Sequence, residues 1–449
     1  MPSSLSGAGD RGPLFDPVFG AEALGAALSD RAWIRALLDV EVALTRAAAA
    51  LGRVEETHAD AIASAAATLA EDLDPADLGR RSAAGGNPVI PLVSLLREHA
   101  DAPARAVHVG ATSQDILDTA LVLLARRAGK IVLTNLCSAA DGAARLAATH
   151  RATPMVARTL GQQALPTTFG ALAAGWLLSL DDAVTELDRA LTRLPAQYGG
   201  AAGTLAAVHP DGFAFADAVA DLLGLARPLA PWHTARTPIT TLATTLGVAA
   251  GAVAKPATDV VLMASTEVGE VSEDAPGGSS AMPHKRNPVA AITARAAARR
   301  VPGLVSTILS STDHEFQRAA GAWHAEWETI CDILRLTGGA AHQLSVSLDG
   351  LHIHTDALDR NLDLTGGAIL AEKVTAALSE HTDDARTIVT DAALAGRRLD
   401  EDPGTTAHLD PHEVRELLDP TRYLGHATDI VDRVLAHHDS ADRISGDTR

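Results

Sequence analysis

An all-α protein organised around a central bundle of long helices is the fold class this sequence predicts, and three observations carry it. Of 449 residues, 47% are hydrophobic but only 3% aromatic, with Ala and Leu dominating. Small aliphatic side chains at helical spacing favour close-packed helices over a sheet core. Stretches from about 115 to 147, 165 to 194, 237 to 266 and 289 to 344 keep helical periodicity with few breakers. Helices of that length cannot bury themselves alone, so they pack in a bundle or across subunits. Little of the chain reads as strand.

In chain order, Leu14-Phe15-Asp16-Pro17 leads into a helix capped near Ser29-Asp30, with Trp33, Leu37, Val40 and Leu44 forming one apolar stripe. A second, Ala-rich helix covers roughly 60 to 70. The Gly85-Gly86-Asn87-Pro88 break then precedes a helix that carries Leu92, Leu95 and Leu96. This short-helix material predicts a small N-terminal domain over 1–102, followed by the long-helix domain over 103–344. From 345 to 449 the chain returns to short helices, broken by Asp402-Pro403-Gly404 and Asp419-Pro420, and reads as a small C-terminal domain. No internal repeat is evident.

Charge and cysteine content narrow the function. A net charge of −19 argues against nucleic acid as a partner, because a phosphate binder needs a basic face. If the substrate is an anion the overall field opposes it, so Arg and Lys must be concentrated locally. Cys137 and Cys331 offer no disulfide framework and no zinc spacing, and both sit in apolar helical runs that predict buried free thiols. The 18 histidines show no clustering with carboxylates at ligand spacing, so no metal is expected; His437-His438 reads as a solvated helix end. The first residues carry no basic-then-apolar signal, and no uncharged apolar run of spanning length is evident, which predicts a soluble cytoplasmic protein without a membrane partner.

The chemistry centres on Gly277-Gly278-Ser279-Ser280-Ala281-Met282-Pro283-His284-Lys285-Arg286-Asn287-Pro288. Two glycines free the backbone, two prolines stiffen the chain beyond them, and a basic pair with an amide stands close to two hydroxyls. A Gly hinge carrying a hydroxyl beside fixed cations suggests a lid that delivers a base onto an anionic substrate. The string matches G-S-S-x-M-P-x-K-x-N at every fixed position and resembles the fumarase/aspartase superfamily, in which it lies on a flexible catalytic loop.

Four further segments are polar where a packed helix would not want polarity. His108-Val109-Gly110-Ala111-Thr112-Ser113-Gln114-Asp115 precedes a long helix; Thr112 or Ser113 suits an N-cap, and the following amides form a ready anion site. It resembles the superfamily's first conserved region. Ala157 to Thr168 resembles the second, in which a histidine usually serves as acid or orienter. Here the common histidine position is Leu160, and the offset histidine of some muconate-cyclising relatives falls at Gln163. Arg158, Thr159 and Gln162 can still hold carboxylates. Pro231-Trp232-His233-Thr234-Ala235-Arg236 stands at a helix entrance, as an interface or a substrate wall. Asp313-His314-Glu315-Phe316-Gln317-Arg318 runs on through Ala-Ala-Gly-Ala-Trp323-His324-Ala-Glu326-Trp327-Glu328, and its paired tryptophans read as core packing, with a shaped pocket nearly as well supported.

That last segment resembles the bacterial 3-carboxy-cis,cis-muconate cycloisomerases rather than fumarase or argininosuccinate lyase. Leu14-Phe15-Asp16-Pro17, Asn87-Pro88-Val89-Ile90-Pro91 and Tyr423-Leu424-Gly425 agree with it, whereas Phe316-Gln317 replaces a common His-Glu pair before Arg318. The resemblance implies a cofactor-free enzyme on a small polycarboxylate and a homotetramer with sites shared among three subunits. Its implied reaction closes 3-carboxy-cis,cis-muconate to a lactone in the protocatechuate branch of aromatic catabolism. Ser279 is the implied proton carrier, with Ser280 as fallback. Lys285, Asn287, Thr112, Ser113 and Arg318 would stabilise the carbanionic intermediate. His108, Gln114, Arg158, Thr159, Gln162, Arg236 and Met282 complete the implied substrate-binding set. An internal carboxylate needs no strong general acid when it leaves. The missing histidine therefore weighs against an adenylosuccinate-type lyase but not against a C–N lyase that expels a stable anion, such as nitrite from nitrosuccinate. The intact signature argues against a non-catalytic member of the lens-crystallin kind.

Overall fold

The computed structural model describes residues 14–275, 277, 282 and 284–440. The described residues are overwhelmingly helical, with two small two-stranded antiparallel sheets, β1–β2 and β3–β4. It divides into two compact units. One comprises residues 1–136, 183–254 and 293–343; the other comprises 137–182, 255–292 and 344–449.

In the first unit, the Asp30–Ala50 helix begins at Ser29, whose hydroxyl accepts the Ala32 amide. This satisfies one of the donors that every helix start leaves open. Its stripe buries Ile34, Leu37, Leu38 and Leu44, and the Glu56–Asp72 and Val89–His99 helices supply Ile62, Leu92 and Leu96 to the same unit's core. Tyr198 stacks on Phe215 with centroids 4.8 Å apart. The helical run expected across 289–344 is interrupted: the Val289–Leu309 and Ala322–Asp349 helices flank an irregular segment over 310–321. The carboxylate of Glu315 accepts the Ala320 amide there, a local bond that competes with helix continuation.

In the second unit, β1 (Pro154–Thr159) and β2 (Gln162–Thr168) form a hairpin. The helix expected from 165 therefore starts only at Phe169. The two-residue turn explains the difference: Leu160 and Gly161 have φ of 53° and 79°, the left-handed pair that a tight hairpin turn demands. Trp176 donates to Asp259 at 2.8 Å and meets Phe169 edge-on. The C-terminal part packs around Val374, Leu378, Val389, Leu399 and Val414. β3 (Val271–Glu273) pairs with β4 (Leu351–Ile353).

Three expectations change in detail. Cys331 is buried, but Cys137 is only half-buried. His438 is no solvated helix end: it is 4% exposed and its Nδ1 meets Asp181 at 2.9 Å. Among the described residues one helix, Thr237–Met263, is long and apolar enough to span a membrane by length and composition. A core helix passes the same test, and here Ile239, Leu242, Leu246 and Val253 form a buried face.

Candidate active site

The strap before the Ser113–Thr149 helix is stitched down along its length. Thr45 Oγ1 donates to the Ala106 carbonyl at 2.9 Å and Arg97 reaches that of Val107. His108 Nδ1 lies 2.7 Å from Glu41 Oε1, and the Tyr198 hydroxyl donates to Val109 O at 3.0 Å. His108 and Gly110 both have φ of 64°. A Cβ on Gly110 would come within 2.6 Å of the Tyr198 hydroxyl, so glycine is required there for space as well as conformation. Thr112 and Ser113 are half-buried at the helix entrance. The anion site expected of the first-turn amides is partly filled by the chain itself. Asp115 Oδ2 accepts the amides of Thr112 and Gly200, each at 2.9 Å, while Oδ1 meets His233 Nε2 at 2.7 Å.

One turn further on, Gln114 and Asp118 share a buried face. The Gln114 amide nitrogen donates to Asp118 Oδ2 and to the His233 carbonyl, at 3.0 and 2.8 Å. Its oxygen is thereby turned to accept Arg318 Nη1 at 3.1 Å. Arg318 Nη2 donates to Ala201 O at 2.9 Å. Both partners are neutral, and among the described residues no carboxylate lies within ion-pair distance of Arg318. Asp118 also accepts Arg236 Nη1 and Nη2, at 2.7 and 3.0 Å, and Trp323 Nε1 at 2.9 Å. Arg236 spends Nε on Glu326 at 3.0 Å, and its side chain is wholly inaccessible. Burial alone would depress this guanidinium, but Asp118 and Glu326 carry it above its ordinary value. Burial raises the Glu326 carboxyl against the pull of Arg236. The enclosed His314 ring, 3.4 Å from Glu326, is held below the usual histidine value by burial and then by the Arg236 charge.

In the second unit the hairpin carries three of the expected residues. Arg158 is bidentate on the buried Glu270, at 2.9 and 2.6 Å, and Asn361 Nδ2 donates to the same carboxylate at 2.8 Å. Thr159 and Gln162 pair across the turn and are exposed, as is Leu160 at its tip. Gln163 faces inward and donates to Asn361 O at 2.9 Å. No histidine stands on the hairpin.

The signature loop has a fixed neck. Gly277 and Asn287 exchange backbone hydrogen bonds of 3.0 and 3.2 Å, and Asn287 Nδ2 adds a third to Gly277 O at 3.2 Å. A Cβ on Gly277 would meet Val289 Cγ2 at 2.2 Å, so only glycine lets the neck close. The Glu273 carboxylate accepts the amides of Ala290 and Ala291, at 3.1 and 2.9 Å, and so caps the next helix. Between these anchors Met282 and Lys285 are exposed, and the Lys285 amide donates to Met282 O at 3.0 Å. Ser279 and Ser280 lie outside the described residues.

The first unit thus joins Gln114 to Arg318 directly, and to Arg236 through Asp118. The second gathers Arg158, Thr159 and Gln162 on one hairpin, and Met282, Lys285 and Asn287 on one loop. Sequence reasoning passed over Glu41, Asp118, Glu270 and Glu273, and it placed Asp115 and His314 in polar segments without giving either a role. A usable signal existed for two of these: Asp115 and Asp118 sit three apart in an otherwise apolar helix, where a buried carboxylate needs a cation or several donors.

The fold is helical, and the loop that carries the signature string is closed at its neck by Gly277 and Asn287. The chain belongs to the lyase family whose model matches residues 18–303, within the fumarase/aspartase superfamily, and is an enzyme of its lyase and cycloisomerase type. It is 45% identical to a nitrosuccinate lyase of Streptomyces davaonensis, over 95% of each chain. It is 42% identical to a 3-carboxy-cis,cis-muconate cycloisomerase of Pseudomonas aeruginosa, over 95% of this chain and 96% of that one. The crystal structure of a 3-carboxy-cis,cis-muconate lactonizing enzyme from Pseudomonas putida superposes with a TM-score of 0.88 at 39% identity, covering 95% of this chain and 99% of the other.

Proposed function

We propose that the enzyme is a C–N lyase that takes nitrosuccinate to fumarate and nitrite. The proton leaves the carbon beside one carboxylate, the new double bond forms, and the C–N bond breaks with its electron pair on nitrite. Ser279 accepts the proton, with Ser280 as fallback. Lys285, Asn287, Thr112, Ser113 and Arg318 hold the charge that develops on the carboxylate as the proton departs. Arg158 and Arg236 spend their donors on carboxylates, so we assign both to the scaffold.

A hairpin without a proton donor supports a leaving group that needs no acid, a property nitrite shares with an internal carboxylate. Leu160 is exposed at the turn, and Gln163 occupies the offset position with its amide tied to Asn361 O. Nitrite departs as a stable anion and needs no acid to help it, unlike an amine. The relative named for nitrosuccinate, at 45% identity, is therefore what puts this reading first. Lactonisation of 3-carboxy-cis,cis-muconate is the second reading, favoured by the Trp323–Trp327 segment and by the 42% relative. It also runs through proton transfer next to a carboxylate, with an internal carboxylate as nucleophile. The superfamily resemblance supports a homotetramer with sites shared among three subunits, and sedimentation as a stable monomer would count against it.

Purified protein offered each substrate separates the readings. Nitrosuccinate turnover produces fumarate absorbance and nitrite in equal amounts. Loss of the conjugated muconate absorbance, with nitrosuccinate untouched, selects the lactonising reaction. Inactivity on both overturns the two readings and points to another small carboxylate as the substrate.

A further inference from the structure

Glu41 lies inside the Asp30–Ala50 helix, on the face that buries Leu37, Leu38 and Leu44, and its side chain is 0% exposed. A carboxylate there costs more than an apolar residue unless its hydrogen bonds are met. They are only half met. Oε1 is 2.7 Å from His108 Nδ1, while Oε2 is buried with no hydrogen-bond partner among the described residues. His108 itself holds φ at 64°, a left-handed conformation that is uncommon outside glycine and that its surroundings impose here. The imposition comes from the bonds that Thr45, Arg97 and Tyr198 make to the carbonyls of Ala106, Val107 and Val109. Stability alone does not account for an imidazole fastened to a half-satisfied buried carboxylate. Orientation does: with Nδ1–H committed to Glu41, Nε2 becomes the free nitrogen of a side chain that is 17% exposed.

We propose that Glu41 is a positioning residue, which holds Nδ1–H of His108 and so directs the opposite edge of the ring, Nε2, toward a carboxylate of the substrate. In the cationic ring Nε2–H donates to that carboxylate while Glu41 serves as counter-ion at Nδ1. The proposal rests on the reading of a small polycarboxylate substrate made above. It adds the carboxylate–histidine pair that aims one of the donors.

Kinetics of H108Q, E41Q and the double variant on nitrosuccinate, or on carboxymuconate if that is the substrate turned over, test it. H108Q and E41Q should each raise KM about tenfold, the worth of one well-aimed hydrogen bond, with kcat much less affected. Because Glu41 acts through His108, the double variant should be no worse than H108Q alone. Losses that multiply, or E41Q with unchanged KM, would overturn the proposal. Nitrogen-15 NMR of the wild-type histidines, with His108 assigned by its absence in H108Q, reads the tautomer without any substrate. A proton on Nδ1 in the neutral ring is expected, and a proton on Nε2 alone overturns the proposal even if neither substrate is turned over. Should E41Q not fold, that tautomer and the H108Q kinetics decide: Nδ1–H with a raised KM supports the pair, and any other combination sinks it.

Discussion

Arg318 Nη1 donates to Gln114 Oε1 at 3.1 Å, and it does so because the other end of that amide is already spoken for. Gln114 Nε2 is held by Asp118 and by the His233 carbonyl, so the amide cannot flip without losing both bonds. A cation whose two protein partners are neutral oxygens keeps its charge for a ligand. This separates Arg318 from Arg158 and Arg236, whose charges are cancelled in place.

Removing that charge should cost binding. Arg318→Met is expected to raise KM by one to two orders of magnitude, roughly the 1.5–3 kcal/mol of a charged hydrogen bond, with little change in melting temperature. Gln114→Glu should cancel the guanidinium's charge with one carboxylate oxygen while setting the other against Asp118 and the His233 carbonyl, so the melting temperature should fall as well. KM should rise again, this time with Arg318 intact. Steady-state kinetics beside a thermal melt of each variant checks both.

Asp118, Arg236 and Glu326 form a closed ion cluster, and breaking one member leaves the others uncompensated in a dry site. Arg236→Met should destabilise the protein by about 3–5 kcal/mol, and Asp118→Asn by a smaller amount. Urea unfolding followed by circular dichroism measures both. An Arg236→Met variant as stable as the parent would show that solvent already reaches the cluster.

The cluster also gives stability a pH dependence. His314 titrates below 6.5, its ordinary value, because burial and then Arg236 disfavour its cation. Well above pH 6.5 the ring is neutral in both the folded and the unfolded chain, so the shift costs nothing there. As pH falls through 6.5 the unfolded chain takes up a proton that the folded one resists, and stability declines until the depressed folded value is passed. His314→Gln should remove this component. The wild type is expected to lose more melting temperature than the variant between pH 7 and pH 5, and parallel curves would exclude the effect.

At the neck of the signature loop, Gly277→Ala should push the Gly277–Asn287 bridge apart, since the added methyl would sit on Val289 Cγ2. Because the loop's anchors and not its core are disturbed, kcat should fall at least about tenfold while the melting temperature barely moves. Val289→Ala in the same chain should restore part of the activity by making room. Replacing both Ser279 and Ser280 by alanine should abolish turnover, and persistence of activity would remove the serine from the mechanism.

Much of this protein is legible in one dimension. Periodicity and the scarcity of aromatics determine the all-α class, and Ser29 determines a helix start, because side-chain spacing and capping are local properties of the chain. The G-S-S-x-M-P-x-K-x-N string determines the family for a different reason: it combines turn-formers, hydroxyls and cations in an order that core packing does not require. The hairpin at Pro154–Thr168 escaped, because strand pairing depends on a left-handed turn at Leu160-Gly161 that no periodicity displays. What only the tertiary structure decided is which charges are free. Arg158, Arg236 and Arg318 look alike along the chain, and their difference is set by carboxylates 112, 118 and 90 positions away, or by the lack of one. Coulomb interactions and desolvation act through space, so the partner that cancels a charge cannot be read from its neighbours in sequence.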